Sequence, residues 1–197
     1  MANELAALEA EVRACRVCEA VLPLGPRPIL RISATARLLI ASQAPGTLAH
    51  ASGTPWTDES GHRLRGWLGL APEVFYDPAL VAILPLGLCY PGRLPKGGDA
   101  PPRPECARLW RARLLAGMPE VRLTLLVGSY AQAYALGPGV MTDRVRGWRG
   151  YLPAVFPLPH PSWRTVVWEK RNPWFVADVL PHLRAAVASQ LVTHPGA

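Results

Sequence analysis

A chain of 197 residues can bury one sizeable core, and with half of its residues hydrophobic it is neither disordered nor a low-complexity tail. Lys and Arg number 21 against 14 Asp and Glu, a formal charge of +7 in which only Lys96 and Lys170 are lysines; such an excess points toward a phosphate-rich partner, although an arginine-rich codon bias produces the same count. No uninterrupted apolar run approaches the roughly 20 residues that span a bilayer, the opening MANELAALEAEVRAC is acidic and helical, not basic then apolar, and four cysteines without an export signal argue against structural disulfides.

Those bounds lead to the expectation of a single domain over residues 1–197, monomeric, in the cytoplasm or nucleoid, without a membrane partner. Asn3 is placed to cap a first helix that runs to about Arg13, with Leu5, Leu8 and Val12 on one face. The helix leads into Cys15-Arg16-Val17-Cys18, a C-x-x-C pair compatible with a redox site, half of a metal site or two buried cysteines. Segment 19–36 alternates prolines with Leu22, Leu24, Ile29 and Ile32 and reads as irregular.

Leu38–Ser42 reads as a buried parallel strand, stopped by Gln43-Ala44-Pro45-Gly46. In open α/β sheets ligands bind beyond the carboxyl ends of strands, so Gln43 is delivered to a place where polar groups act. Gly46, Gly53 and Gly61 allow close backbone approach, and Trp56 adds a flat face. Gly61–Leu70 carries Leu64, Trp67 and Leu68 at helical spacing, its N-terminus toward this loop, where anions or developing negative charge are favoured.

Val81–Leu88 reads as the second strand, ending at Cys89-Tyr90-Pro91-Gly92. Arg93 to Pro104 combines Arg93, Lys96 and Arg103 with glycines and prolines, as an exposed basic loop does. A helix follows from Pro104 to about Ala116, carrying Cys106. Leu123–Gly128 is the third strand, with Ser129 capping a short helix; 137–150 is polar and arginine-rich. Ala154–Leu158 is the fourth strand and breaks at Pro159-His160-Pro161-Ser162. Asn172 and Pro173 open a last helix to about Leu191, kinked at Pro181. Four strand-then-helix units predict a three-layer α/β/α sandwich around a central four-stranded parallel sheet.

Two strings carry a resemblance. SQAPG, GTPW and Gly61 are similar to the first motif of the uracil-DNA glycosylase superfamily, in particular its iron-sulfur branch, family four, whose pattern runs roughly G-E-A-P-G, then G-x-P-F and a glycine. His160-Pro161-Ser162-Trp163-Arg164 resembles the second motif, H-P-S-x-R, also after the last strand. The cysteine contexts CYPG and PPRPEC look like that branch's ligand segments. The resemblance implies a DNA-repair glycosylase that hydrolyses the N-glycosidic bond of a flipped uracil or other deaminated base.

Carried over residue by residue, it gives His160 as donor to the departing base oxygen and Trp56 as the stacking face, with Ala44, Pro45, Gly46 and Ser162 around the base. Trp163 and Arg164 fill the gap left by flipping, and Arg93, Lys96 and Arg103 contact phosphates. Cys15, Cys18, Cys89 and Cys106 would hold a 4Fe-4S cluster, with zinc as the alternative, in a structural role. Two positions depart from the pattern. Gln43 stands where the branch has glutamate and cannot accept a proton, so either its amide orients water or a carboxylate such as Asp58 or Glu59 replaces it. Pro85 falls where an asparagine reads the base. These departures support a rival reading, a non-catalytic iron-sulfur DNA-binding or damage-sensing module; a weaker third, a small-molecule nucleoside or nucleotide hydrolase, is disfavoured by the basic loops at Arg93–Arg103 and Arg144–Arg149.

Overall fold

The computed structural model describes residues 2–191. In chain order it contains α1 (Ala2–Arg13), β1 (Leu38–Ala41), α2 (Thr47–Ser52), α3 (Glu59–Leu68), α4 (Pro72–Phe75), β2 (Val81–Ile83), and α5 (Pro104–Cys106), which passes through a π-turn at Ala107–Arg111 into α6 (Ala112–Ala116). There follow β3 (Leu123–Val127), α7 (Ser129–Leu136), α8 (Met141–Arg146), β4 (Val155–Leu158), α9 (Trp163–Arg171), a π-turn at Phe175–Val179 and α10 (Leu180–Leu191).

Successive residues of a strand face opposite sides of the sheet, and β1 shows it: Leu38 and Ile40 pack with Leu64 and Leu68 of α3 and Leu183 and Val187 of α10. Leu39 points the other way, to Leu5, Leu8 and Val12 of α1 and Leu114 of α6. A strand buried on both faces needs apolar residues throughout, which is why β1 reads as an unbroken run. The sheet has the order β2-β1-β3-β4 with every pair parallel. The result is the three-layer α/β/α arrangement around four parallel strands, and all four strands direct their carboxyl ends to one edge.

Several boundaries move. α1 starts at Ala2, so Asn3 lies inside it and is not its cap. α3 starts two residues before Gly61, with Asp58 as the N-cap accepting from the Gly61 N–H at 3.0 Å. Ser129 is the first residue of α7 and not its cap; Gly128, at φ 87°, precedes it. β2 ends at Ile83, well short of Leu88. The inward bonds nonetheless continue, Leu84 N–H to Ile40 O at 3.0 Å and Leu86 N–H to Ser42 O at 2.8 Å. The alternate Ile83 N–H turns outward, to Arg31 O at 2.7 Å, so a proline two residues on occupies a position whose N–H the sheet does not use. HPSWR, read as a plain break, opens the helix α9. The irregularity expected at Pro181 takes the form of the π-turn immediately upstream.

Candidate active site

The loop after β1 and the loop after β4 start on strands separated by β3, yet they meet above the sheet edge. Gln43, Ala44, Pro45, Gly46, Trp56, Asp58 and His160 all line one cavity of about 170 Å³. Pro85 and Asp99 line it too. Gln43 is half-buried; its backbone carbonyl accepts from Gly87 N–H at 2.8 Å, which anchors the residue where it lines the cavity.

Trp56 sits at φ 59°, a left-handed conformation that a bulky residue adopts only under external constraint. The constraint is visible. The Trp56 carbonyl accepts from Arg65 Nη1 at 3.1 Å and from the Tyr76 hydroxyl at 2.8 Å. A Cβ on Gly61 would stand 1.8 Å from that same oxygen, so the turn closes only over glycine. The indole lies 5.5 Å from the His160 ring, centroid to centroid, with the planes 35° apart. A base sandwiched between two rings needs roughly 7 Å, twice a van der Waals spacing. The two rings are therefore adjoining walls of one corner, with the ligand space in front of both.

His160 is fixed through its backbone. Its carbonyl accepts from Ser162 N–H at 2.8 Å and from the Thr165 hydroxyl, and Arg63 Nη1 donates to the next two carbonyls, Pro161 O at 3.2 Å and Ser162 O at 2.8 Å. From below, Gly128 lets the imidazole in: a Cβ there would come within 3.2 Å of the His160 Cβ. Burial pushes the ring below its ordinary value, with Asp58 pulling weakly the other way. The imidazole therefore enters neutral at pH 7, as a hydrogen-bond donor and not as a cation. Arg63, Arg65, Tyr76, Thr165 and Gly128 were not singled out in the sequence. Only Ser162-x-x-Thr165 carried a local signal, a hydroxyl three residues after a turn.

Other expected residues lie outside the cavity. Ser162 is the N-cap of α9 and its hydroxyl makes no cap bond. Trp163 is 72% exposed with the Arg164 guanidinium 5.2 Å from its ring centroid. Arg164 reaches the basic loop, its Nη1 3.7 Å from where a Gly98 Cβ would stand. Arg93 and Lys96 are exposed on that loop. Arg103 turns elsewhere, to Glu105 at 2.9 Å.

A second cavity is lined by Cys15, Cys18, Cys89, Cys106 and Arg103. All four cysteines are free thiols. Leu88 N–H donates to Cys106 Sγ at 3.3 Å, and the Arg27 backbone hydrogen-bonds to Cys89. The Nε of Arg103 is buried without a partner among the described residues. No set of three His, Cys, Asp or Glu among the described residues is drawn in as a ready metal-holding group. Four thiols, two N–H donors to sulfur and an orphaned guanidinium nitrogen nonetheless match the chemistry of an anionic thiolate-bound centre. Burial pushes Cys106 up to about 12, so sulfur there becomes an anion only with a cation beside it.

Compared with known proteins, residues 31–184 match the family model described as the Uracil DNA glycosylase superfamily. The match spans the sheet and both loops of the cavity and begins after Cys15 and Cys18.

Proposed function

We propose, from the premise that this chain belongs to the uracil DNA glycosylase superfamily, that it hydrolyses the N-glycosidic bond of a flipped, deaminated base in DNA. What carries the reading is the corner formed by Trp56 and His160 beside Gln43, in one cavity at the carboxyl edge of the sheet. Breaking a glycosidic bond leaves negative charge on the base and spreads positive charge over the sugar. A neutral imidazole held by its own backbone bonds can donate to the base oxygen where that charge develops, without reorganising. Trp56 supplies a face for the extruded base, and the Gln43 amide is positioned to bond to water or to the base edge. Pro85, buried in the wall, has no side-chain hydrogen bond to offer, so discrimination rests on Gln43 and on backbone groups.

The DNA path supporting this reading runs over Arg93, Lys96 and Arg164, with Trp163 projecting beside the cavity loops as a wedge for the vacated stack. Cys15, Cys18, Cys89 and Cys106 would hold a 4Fe-4S cluster, or zinc in its place, cross-linking the end of α1 to the segments that flank the basic loop. Arg103 belongs with that centre more than with phosphates.

The test is excision from single- and double-stranded oligonucleotides containing uracil, hypoxanthine or xanthine. Abasic product that disappears in His160→Ala supports the assignment. Gln43 and Pro85 favour one rival, a damage-sensing module without base chemistry, and salt-dependent binding with no product from any substrate would establish it. Visible absorbance of the purified protein, lost in Cys89→Ser, separates the cluster from zinc.

A further inference from the structure

We infer that Asp99 is the carboxylate that faces the deoxyribose of the flipped nucleotide and takes the proton of the attacking water; the inference rests on the excision reading above. Asp99 belongs to the loop between β2 and α5. That loop is a built hairpin: Arg93 and Asp99 pair as an antiparallel bridge, Leu94 N–H donates to Gly98 O at 2.9 Å and Ala100 N–H to Gly92 O at 2.8 Å. Gly97 and Gly98, at φ 86° and 85°, make a reversal closed to most side chains. The hairpin aims Asp99 across to the loop after β1, where its Oδ2 lies 3.7 Å from the place a Cβ on Gly46 would take.

Three carboxylates near the cavity compete for the role that Gln43 cannot fill. Asp58 spends one carboxylate oxygen capping α3. Glu59 lies within that helix and is not part of the cavity wall. The Asp99 carboxylate accepts no hydrogen bond from the described residues and lines the cavity. Depth also matters. Ser42 and Ile83, 4% and 0% exposed, form the floor, whereas Asp99 and Leu48 are exposed at the rim. A flipped nucleotide enters base first, so the sugar stops at the rim, level with Asp99. An acid here is otherwise misplaced, because its loop carries the exposed Arg93 and Lys96 on the side that would meet phosphates. Partial burial and the Asp58 charge hold the carboxyl above the usual range, with Arg93 opposing, which suits a group that must take up a proton.

In the step, the water oxygen bonds to C1′ and the C1′–N bond breaks with its electron pair left on the base, whose oxygen takes the His160 hydrogen bond. The water proton goes to Asp99 and passes to the base as product leaves. Binding should be measured to duplexes carrying a cationic pyrrolidine or a neutral tetrahydrofuran abasic analogue, alongside single-turnover excision across pH, for wild type and Asp99→Asn. Wild type is expected to prefer the cation. Asp99→Asn is expected to lose about tenfold of that preference, about 100-fold in rate, and the acid limb of the pH profile. A variant that keeps both preference and rate overturns the inference and leaves the excision reading intact, as does a wild type that excises without preferring the cation. A wild type that makes no abasic product, yet prefers the cation and loses that preference in Asp99→Asn, sinks the excision reading and keeps Asp99 against the sugar.

Discussion

Two cavities adjoin the same sheet and are held in opposite ways. The walls of the first are pinned by polar contacts internal to the fold: two donors on the Trp56 carbonyl, two on the His160 carbonyl, Arg63 on the carbonyls after it, and a glycine packed against the turn. The second draws the Cys15/Cys18 pair, Cys89 and Cys106 from three places in the chain. Their ties to the fold are two N–H contacts to sulfur and the apolar surroundings of Val12, Leu22 and Trp110. The first site is preorganised by the polypeptide; the second, on the reading proposed above, would be completed by a bound centre cross-linking its thiols.

That contrast is broken most severely at Gly61. Replacing it with alanine drives a methyl into the Trp56 carbonyl, which Arg65 and Tyr76 hold from the other side. Gly61→Ala is expected to lose about 4 kcal/mol of stability in urea unfolding, together with excision, while the thiols remain equally titratable. His160→Ala tests chemistry without the scaffold. It should slow single-turnover excision by about 100- to 1,000-fold, some 3–4 kcal/mol of barrier, with the unfolding midpoint nearly unchanged.

On the other side of the comparison, Cys106→Ser removes the sulfur that accepts the Leu88 N–H and frees the end of α5. A loss of about 2 kcal/mol is expected, with faster proteolysis between Cys89 and Arg103 and weaker, still salt-dependent DNA binding. The Trp56 fluorescence response to abasic DNA should persist, since no contact of that corner involves a thiol.

The division also explains what the sequence discloses. Strand ends are legible because β1 and β3 are apolar runs stopped by Gln43 and Gly128, and from parallel strands alone Gln43 and His160 fall on one edge. Even a separation of one intervening strand does not hide that. The constraints are not legible: nothing local marks Trp56 for positive φ, since its partners Gly61, Arg65 and Tyr76 act through backbone oxygen. Helix α9 was missed because Pro161-Ser162 reads as a turn, although a turn can also be a helix start. Asp99 gave no signal because an acid among glycines and prolines reads as a solvated loop, and only the hairpin turns it toward Gly46. Asp58 drew notice as a carboxylate near the motif, and the structure shows that its first duty is a helix cap.

Tyr76→Phe is a gentler probe of preorganisation. It deletes one donor to the Trp56 carbonyl while Arg65 keeps the other, so about 1 kcal/mol of stability and less than a tenfold loss of rate are expected. A rate loss equal to that of Gly61→Ala would show that the two donors do not back each other up.

The smallest expected effect is the pH dependence that His160 imposes on stability. Its folded value is lowered by burial, so above about pH 6.5 the ring is neutral in both folded and unfolded chains and contributes no slope. As pH falls below that value the unfolded chain takes up a proton that the folded one resists, and stability declines until the folded ring also protonates. Asp58, by attracting the cation, narrows this window without closing it. Urea titrations at pH 7.5, 6.5 and 5.5 should therefore show a decline in wild type that His160→Gln lacks. Asp178, whose carboxyl Arg149 holds below the usual range, gives a separate loss at more acid pH that both proteins share. A decline of equal slope in His160→Gln would mean that the imidazole is as well solvated in the corner as in the unfolded chain, and that its neutral, donor-only state is not built in by the fold.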